Sequence, residues 1–322
     1  SFDPNVFVQG FSQRQWKDIL SNRRSPLSNK AVSGLYSPGS VFKLVVAAAA
    51  LEYGVIDPNH RVDCKGHIQL GNRAFHCWRR GGHKNLDLLQ AIAQSCDVYF
   101  YDLALKVGAE RIAQMAQELG FGRSSGVDLP GEKTGLIPTP DWKRATHGDP
   151  WQKGDTLNTA IGQGYVLATP LQLAIMTARL VNGGFSVRPW LAQPKELLGE
   201  QGPDKEEQFQ KVKISSSTLS VIRESMFEVV NKNRGTAYKA RIKEVPYMMG
   251  GKTGTIQVRR ISAAEREGGV IKNEDRPWEH RDHALFVGYA PVEDPRYAVA
   301  VVVEHGGSGA SMAAPMAHDI LL

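Results

Sequence analysis

Residues 36–54, YSPGSVFKLVVAAAALEYG, read as one buried helix entered through a Pro-Gly turn. A helix buried along its length needs other elements packed around it, so the chain must build layers about this segment. Its first turn nevertheless carries Ser40 and Lys43. Three residues apart on a helix, the two share a face. Ser40 lies at the amino end, where free backbone N–H groups and the macrodipole favour a developing negative charge. Among Val41, Phe42, Leu44 and Val45 the lysine is partly desolvated. Desolvation disfavours an ammonium, and a neutral amine can take a proton from the serine. The tetrapeptide alone also reads as a serine cap followed by a snorkelling lysine.

The rest of the chain falls into two compositional halves. Residues 1–39 are polar and turn-rich, with Pro4, Pro26 and Pro38 breaking any long helix. Helical spacing of apolar residues then marks 86–94, 98–108 and 109–120. A further helix starts at Thr169, with Pro170 at its first position and Gly183-Gly184 as its stop. From about Lys211 the character changes, and one helix at 218–230 is followed by the β-rich runs GGKTGTIQV, ALFVGYAPV and YAVAVVVEH. The last two are joined at Glu293-Asp294-Pro295 as a hairpin, the charged stretch 259–282 reads as a long exposed loop, and 313–322 as a covering helix. The expected fold class is α+β and two-lobed. An antiparallel sheet covered by helices (about 1–39 and 211–322) meets an all-helical lobe (about 40–210).

At 322 residues the chain can bury a full core. With 42% hydrophobic and 22% charged residues it has the composition of an ordinary globular protein, which excludes a disordered or fibrous chain. The net charge of +6 is spread over short clusters such as Arg23-Arg24 and Arg79-Arg80, and no basic-aromatic stripe supports nucleic-acid binding. The longest apolar run, Leu44–Leu51, is far short of the roughly 20 residues of a membrane span. A start at Ser1 without methionine suggests an excised piece whose anchor or address lies elsewhere.

Two further segments give the Ser40–Lys43 pair a context. Ser95-Cys96-Asp97 lies at the junction of two expected helices, and Lys252-Thr253-Gly254-Thr255 opens an expected strand after Gly250-Gly251. S-x-x-K, then S-x-[ND], then K-T-G is the order found in serine β-lactamases and penicillin-binding proteins. A second Lys-Thr-Gly at 133–135 follows Pro130-Gly131, lacks strand flanks and reads as turn. The blocks YSPGSVFK, PWQKGDTLNTAIGQGYVLATPLQLA and GGKTGTIQ resemble the transpeptidase domain of class B penicillin-binding proteins over nearly the whole chain. WRRGGH, PWQKGDT and an aspartate closing the second motif, where most relatives have asparagine, resemble its elongation branch.

The resemblance implies a peptidoglycan D,D-transpeptidase of the cell wall, with Ser40 attacking the penultimate D-alanine of a stem peptide and Lys43 as base. It implies that Ser95 relays a proton to the leaving amine and that Lys252 supplies local positive potential. Backbone N–H groups of Ser40 and Thr255 would hold the oxyanion, and the hydroxyls of Thr253 and Thr255 the terminal carboxylate; Asp97 and Gly254 are also expected to contact substrate, although an aspartate at 97 puts the usual amide contact in doubt. Gly162-Gln163-Gly164 is expected as a supporting turn. The implied location is the periplasmic face of the inner membrane. The implied partners are stem peptides, β-lactams, a SEDS-type glycosyltransferase and rod-shape scaffold proteins. Rivals are a serine β-lactamase or D,D-carboxypeptidase of the same fold, and a non-catalytic β-lactam sensor or scaffold. No convincing Glu-x-x-Leu-Asn segment supports rapid deacylation.

The cysteines Cys64, Cys77 and Cys96 fall in one window with His67, His76 and His83. Cys64 and Cys77 flank a hairpin with a Gly-Asn turn, and Cys96 lies inside the second motif. A zinc site of Cys64, Cys77, His83 and Cys96 would tie that ribbon to the catalytic wall. The resembled branch also carries zinc beside its active site. The chemistry itself requires no cofactor. A Cys64–Cys77 disulfide, or three unpaired thiols acting as small hydrophobes, remain open on spacing alone.

Overall fold

The computed structural model describes residues 5–10, 12–191, 210–259, 265, 269 and 271–322. Three short helices open the chain, α1 (Asn5–Gln9), α2 (Gln13–Leu20) and α3 (Lys30–Ser33). The apolar segment follows as a 3₁₀ turn over Gly39–Phe42 that runs into α4 (Lys43–Glu52). Ser40 therefore stands in a tighter turn ahead of the α-helix rather than in its first turn. Gly39, at φ +54, makes the sharp entry. A Cβ there would lie 3.0 Å from the Thr255 carbonyl oxygen, so glycine lets the turn press against the strand that carries Thr255.

Every residue of α4 from Lys43 to Ala50 is buried. The helix packs against α6 (Asp97–Val107), α7 (Ala109–Glu118) and α11 (Ser216–Asn231), which is why it has no polar face. Between them come α5 (Leu88–Ala93), α8 (Pro140–His147), α9 (Lys153–Ala160) and α10 (Pro170–Val181). Thr169 caps α10 in a reciprocal capping box with Gln172, with Pro170 in the first turn as its sequence signals predict. Helices α8 and α9 lie in a stretch whose apolar spacing predicts nothing.

The main sheet is antiparallel, in the order β5 (Gly250–Ile256), β6 (His283–Ala290), β7 (Tyr297–Val303). The expected α+β architecture and the β6–β7 hairpin are both present. Helix α11 covers β5, while α10 and α12 (Ala314–Leu321) pack on β6 and β7. The expected exposed loop 259–282 lies in part outside the described residues. Its described end holds short turns at Asn273–Asp275 and Trp278–His280. A separate small ribbon stands on the other side of α6. There β1 (Val62–Cys64) pairs with β4 (Lys84–Leu86), and β2 (His67–Leu70) pairs with β3 (Arg73–His76) across the expected Gly-Asn turn. Among the described residues no helix is long and apolar enough to cross a membrane.

Candidate active site

A cleft of about 1990 Å³ runs between the ribbon, the end of α5 and strand β5. Ser40, Ser95, Asp97, Thr253, Gly254 and Thr255 all line it. Gly162 supports the floor from behind. Its carbonyl accepts from Gly39 N–H at 2.9 Å, and any Cβ at 162 would collide with the Gly39 backbone. The expected role of the 162–164 turn as a buttress therefore has a concrete contact.

The second motif occupies an unusual backbone position. Helix α5 ends at Gln94, and its closing bonds run from Ser95 N–H to Ile92 O (3.1 Å) and from Cys96 N–H to Ala91 O (2.9 Å). This is a Schellman ending, in which the residue after the cap is left-handed and usually glycine. Here it is Ser95, at φ +55. A non-glycine residue in that region costs about 1 kcal/mol or more and persists only where its surroundings hold it.

Two lysines hold it. Lys43 Nζ donates to Ser95 O at 2.8 Å and to Ser95 Oγ at 3.2 Å, and Lys252 Nζ donates to the same Oγ at 3.0 Å and to Thr253 O at 3.0 Å. Both amines are fully buried. A hydroxyl oxygen that accepts twice still has its own proton to give. Ser95 is thereby placed to pass a proton between the lysines and anything bound in the cleft. Lys43 is not the isolated amine that its apolar neighbours predict. Asp97 Oδ1 lies 2.6 Å from its Nζ, and Asp97 Oδ2 accepts from Trp78 N–H at 2.8 Å. The aspartate, expected to contact substrate, thus has both oxygens engaged within the protein. Burial pushes its carboxyl up, against the opposing pull of the Lys43 ammonium.

Burial, reinforced by the nearby Lys43 charge, holds Lys252 well below the ordinary lysine value. A lysine depressed in the fold binds fewer protons than in the unfolded chain, so its unfavourable contribution grows as pH falls from the ordinary lysine range. Lys252→Met removes that contribution. Its Tm relative to wild type is expected to rise as the pH is lowered from about 10, and a pH-independent difference would contradict the depressed amine.

Cys64, Cys77, Cys96 and His83, the set that spacing alone leaves open, come together with all four ligand atoms within 4.8 Å of one another and all four residues buried. None of the cysteines is disulfide-bonded. His83 Nδ1 lies 3.7 Å from Cys64 Sγ and 3.4 Å from Cys77 Sγ. Tetrahedral bond lengths of a thiolate and an imidazole on zinc imply an S···N edge of about 3.6 Å, so the spacing fits such a donor set. A hydrogen bond from Cys96 pulls the Cys77 thiol down towards its thiolate, against burial. His67 and His76 pair across the outer hairpin instead, with ring centroids 5.8 Å apart.

Three neighbours have no role assigned from the sequence. Thr236 Oγ1 lies 2.7 Å from Thr253 Oγ1, tying the strand to the loop after α11, and Arg234 lines the same wall. The third is Trp78, directly after Cys77, whose indole donates to Gln94 O and Ser95 O at 3.1 and 3.0 Å. The second Lys-Thr-Gly, at 133–135, is not in a strand, and Thr134 O accepts from Gln172 Nε2 at 2.8 Å.

Residues 1–322 match the penicillin binding protein transpeptidase domain from end to end. The chain belongs to that family. Among curated transpeptidase relatives it is similar to the peptidoglycan D,D-transpeptidase MrdA of Acinetobacter baumannii, 37% identical across 98% of this chain and 47% of the relative. Against the Escherichia coli K12 MrdA it is 35% identical, across 96% and 48%. The crystal structure of Pseudomonas aeruginosa PBP2 in complex with WCK 5153 superposes with a TM-score of 0.85 at 39% identity, covering 99% of this chain and 68% of that one. The complex of PBP2 with MreC from Helicobacter pylori gives 0.81 at 33%, covering 99% and 56%. The transpeptidase chain spans about half the length of the curated relatives it matches.

Proposed function

We propose that this domain is a serine D,D-transpeptidase of peptidoglycan, working in a cleft between a helical lobe (about 40–210) and a sheet lobe (about 1–39 and 211–322). Ser40 Oγ attacks the carbonyl of the penultimate D-alanine as Lys43, made neutral by passing its resting proton to the buried Asp97 carboxylate 2.6 Å away, takes the serine's proton. The amide C–N bond breaks, an ester to Ser40 forms, and terminal D-alanine leaves with a proton delivered through Ser95. An amine from a neighbouring stem then displaces Ser40, which recovers its proton. Backbone N–H groups of Ser40 and Thr255 receive the oxyanion, Thr253, Gly254 and Thr255 hold the carboxylate end, and Lys252 sustains the positive potential. What carries the reading is one observation: Ser95 Oγ accepts from both Lys43 Nζ and Lys252 Nζ on the wall of the cleft that holds Ser40.

A β-lactam mimics the dipeptide end and would leave Ser40 acylated. Mass spectrometry after brief exposure to penicillin is expected to find a penicilloyl adduct on the peptide containing Ser40 that persists for many minutes. Rapid turnover of penicillin would favour a β-lactamase or carboxypeptidase, and no adduct would remove the serine mechanism. We place the domain on the periplasmic side of the inner membrane, anchored by a segment outside this sequence. Its partners there would be a SEDS-type glycosyltransferase and a rod-shape scaffold. Two relatives support this: PBP2 described in complex with MreC, and a peptidoglycan synthase complex coordinating polymerization and crosslinking.

We also assign structural zinc to Cys64, Cys77, His83 and Cys96, which would lock the ribbon to the start of α6. Protein purified without a histidine tag is expected to carry about one equivalent of zinc, and less than a tenth would exclude the site. Cys96→Ser is expected to lower both metal content and the acylation rate, because position 96 is bonded in sequence to Ser95 and Asp97.

A further inference from the structure

We infer that Trp78 is a positioning residue of this site, locking the strained Ser95 turn and the Asp97 carboxylate in the arrangement that presents both to Lys43. Three of its bonds converge on the second motif. Its backbone N–H donates to Asp97 Oδ2 at 2.8 Å, and its indole Nε1–H is shared between Gln94 O (3.1 Å) and Ser95 O (3.0 Å). Those two carbonyls belong to the end of α5, where the helix itself supplies no donors. Ser95 O receives Lys43 Nζ on its other lone pair, so the indole and the lysine clamp one peptide oxygen between them. The clamped residue is the one at φ +55, a geometry that its surroundings must impose.

The side chain is otherwise badly placed for packing. It is 61% exposed and lines the cleft, with its N–H turned inward to the wall. An exposed tryptophan held by its nitrogen fits a strut better than a core residue. Its two anchors are on the ribbon: Cys77 precedes it, and the His83 ring meets it edge-on at 5.3 Å. Trp78 therefore carries the position of the Cys/His cluster to the Ser95 turn through side-chain bonds, beside the covalent link through Cys96.

The inference rests on the proposed serine mechanism, and its test separates the two. Trp78→Phe keeps the ring and the backbone donor and loses the indole N–H. In the metal-loaded protein, stopped-flow acylation by penicillin is expected to show the acylation rate constant falling about tenfold while the non-covalent dissociation constant stays within about twofold. Metal content should be unchanged. An unchanged rate constant, or a change confined to the dissociation constant, would overturn the role. If the smaller ring disturbs the ribbon, 3-benzothienylalanine at position 78 removes the N–H at constant shape and is read the same way. Independently of activity, the Trp78 indole proton of the wild type should exchange with solvent at least about tenfold more slowly than that of N-acetyltryptophanamide under the same conditions. Equal exchange would overturn the lock even if Ser40 proves to be the nucleophile. Slow exchange would uphold it even if Ser40 does not.

Discussion

Ser40→Ala is expected to lose covalent labelling by a fluorescent penicillin by roughly four orders of magnitude or more, because the atom proposed to form the acyl bond is gone. The fold should barely notice. Ser40 is half-buried at the cleft floor and its hydroxyl has no hydrogen-bond partner among the described residues, so the change falls in the class of substitutions worth about 0.5 kcal/mol or less. The Gly39–Gly162 contact that shapes the turn is made by backbone atoms and survives. Labelling of the variant at the wild-type rate, or an adduct mapped to Ser95 instead, would refute the assignment of the nucleophile. In cells, loss of rod shape at unchanged protein level would mark the domain as catalytic, and full rescue by Ser40→Ala would mark it as a scaffold.

Lys43→Met should damage both chemistry and stability. The acylation rate is expected to fall by about 10²- to 10⁴-fold, the usual contribution of a positioned general base. Stability should fall by about 3–5 kcal/mol, because the Asp97 carboxylate, 2.6 Å from the lost ammonium, is left buried without its partner. The double variant Lys43→Met/Asp97→Asn removes that stranded charge. It should recover most of the stability and none of the activity, which separates the two roles of the lysine. The pH dependence has a definite sign. Burial already pushes the Asp97 carboxyl up, and the lost ammonium was what opposed it. The folded single variant therefore takes up a proton at a higher pH than the unfolded chain does. Its Tm deficit should shrink as pH falls and widen as pH rises. Equal deficits in the single and double variants at every pH would show that the pair contributes nothing.

How much of this was legible beforehand depends on the range of the interaction. Helices α6, α7, α10 and α11 and the three strands announce themselves through local periodicity, caps and glycine stops, and they lie within a few residues of their expected bounds. The convergence of Ser40, Lys43, Ser95 and Lys252 was legible only as a known order of motifs, since no spacing rule brings together residues more than 200 positions apart. The Cys/His cluster was legible from ligand types gathered in one window. The Asp97–Lys43 pair was not. Periodicity places Asp97 at the start of a helix, but which of its oxygens faces a lysine from another helix is decided by tertiary packing. The bonds of Thr236 and Trp78 were invisible for the same reason, because a threonine in a polar loop and a tryptophan after a cysteine have no local pattern that reveals a bond to a distant strand or helix end.

The sealed state of α4 also limits how the cleft can be reshaped by substitution. With Val41 to Ala50 wholly enclosed, a substitution that shifts Ser40 by repacking its helix disturbs the core on several sides at once. Changes of shape are therefore cheapest at the outer rim, at solvent-facing positions such as Arg79, Gln257 and Val258, where the entrance can drift while the enclosed helix stays put.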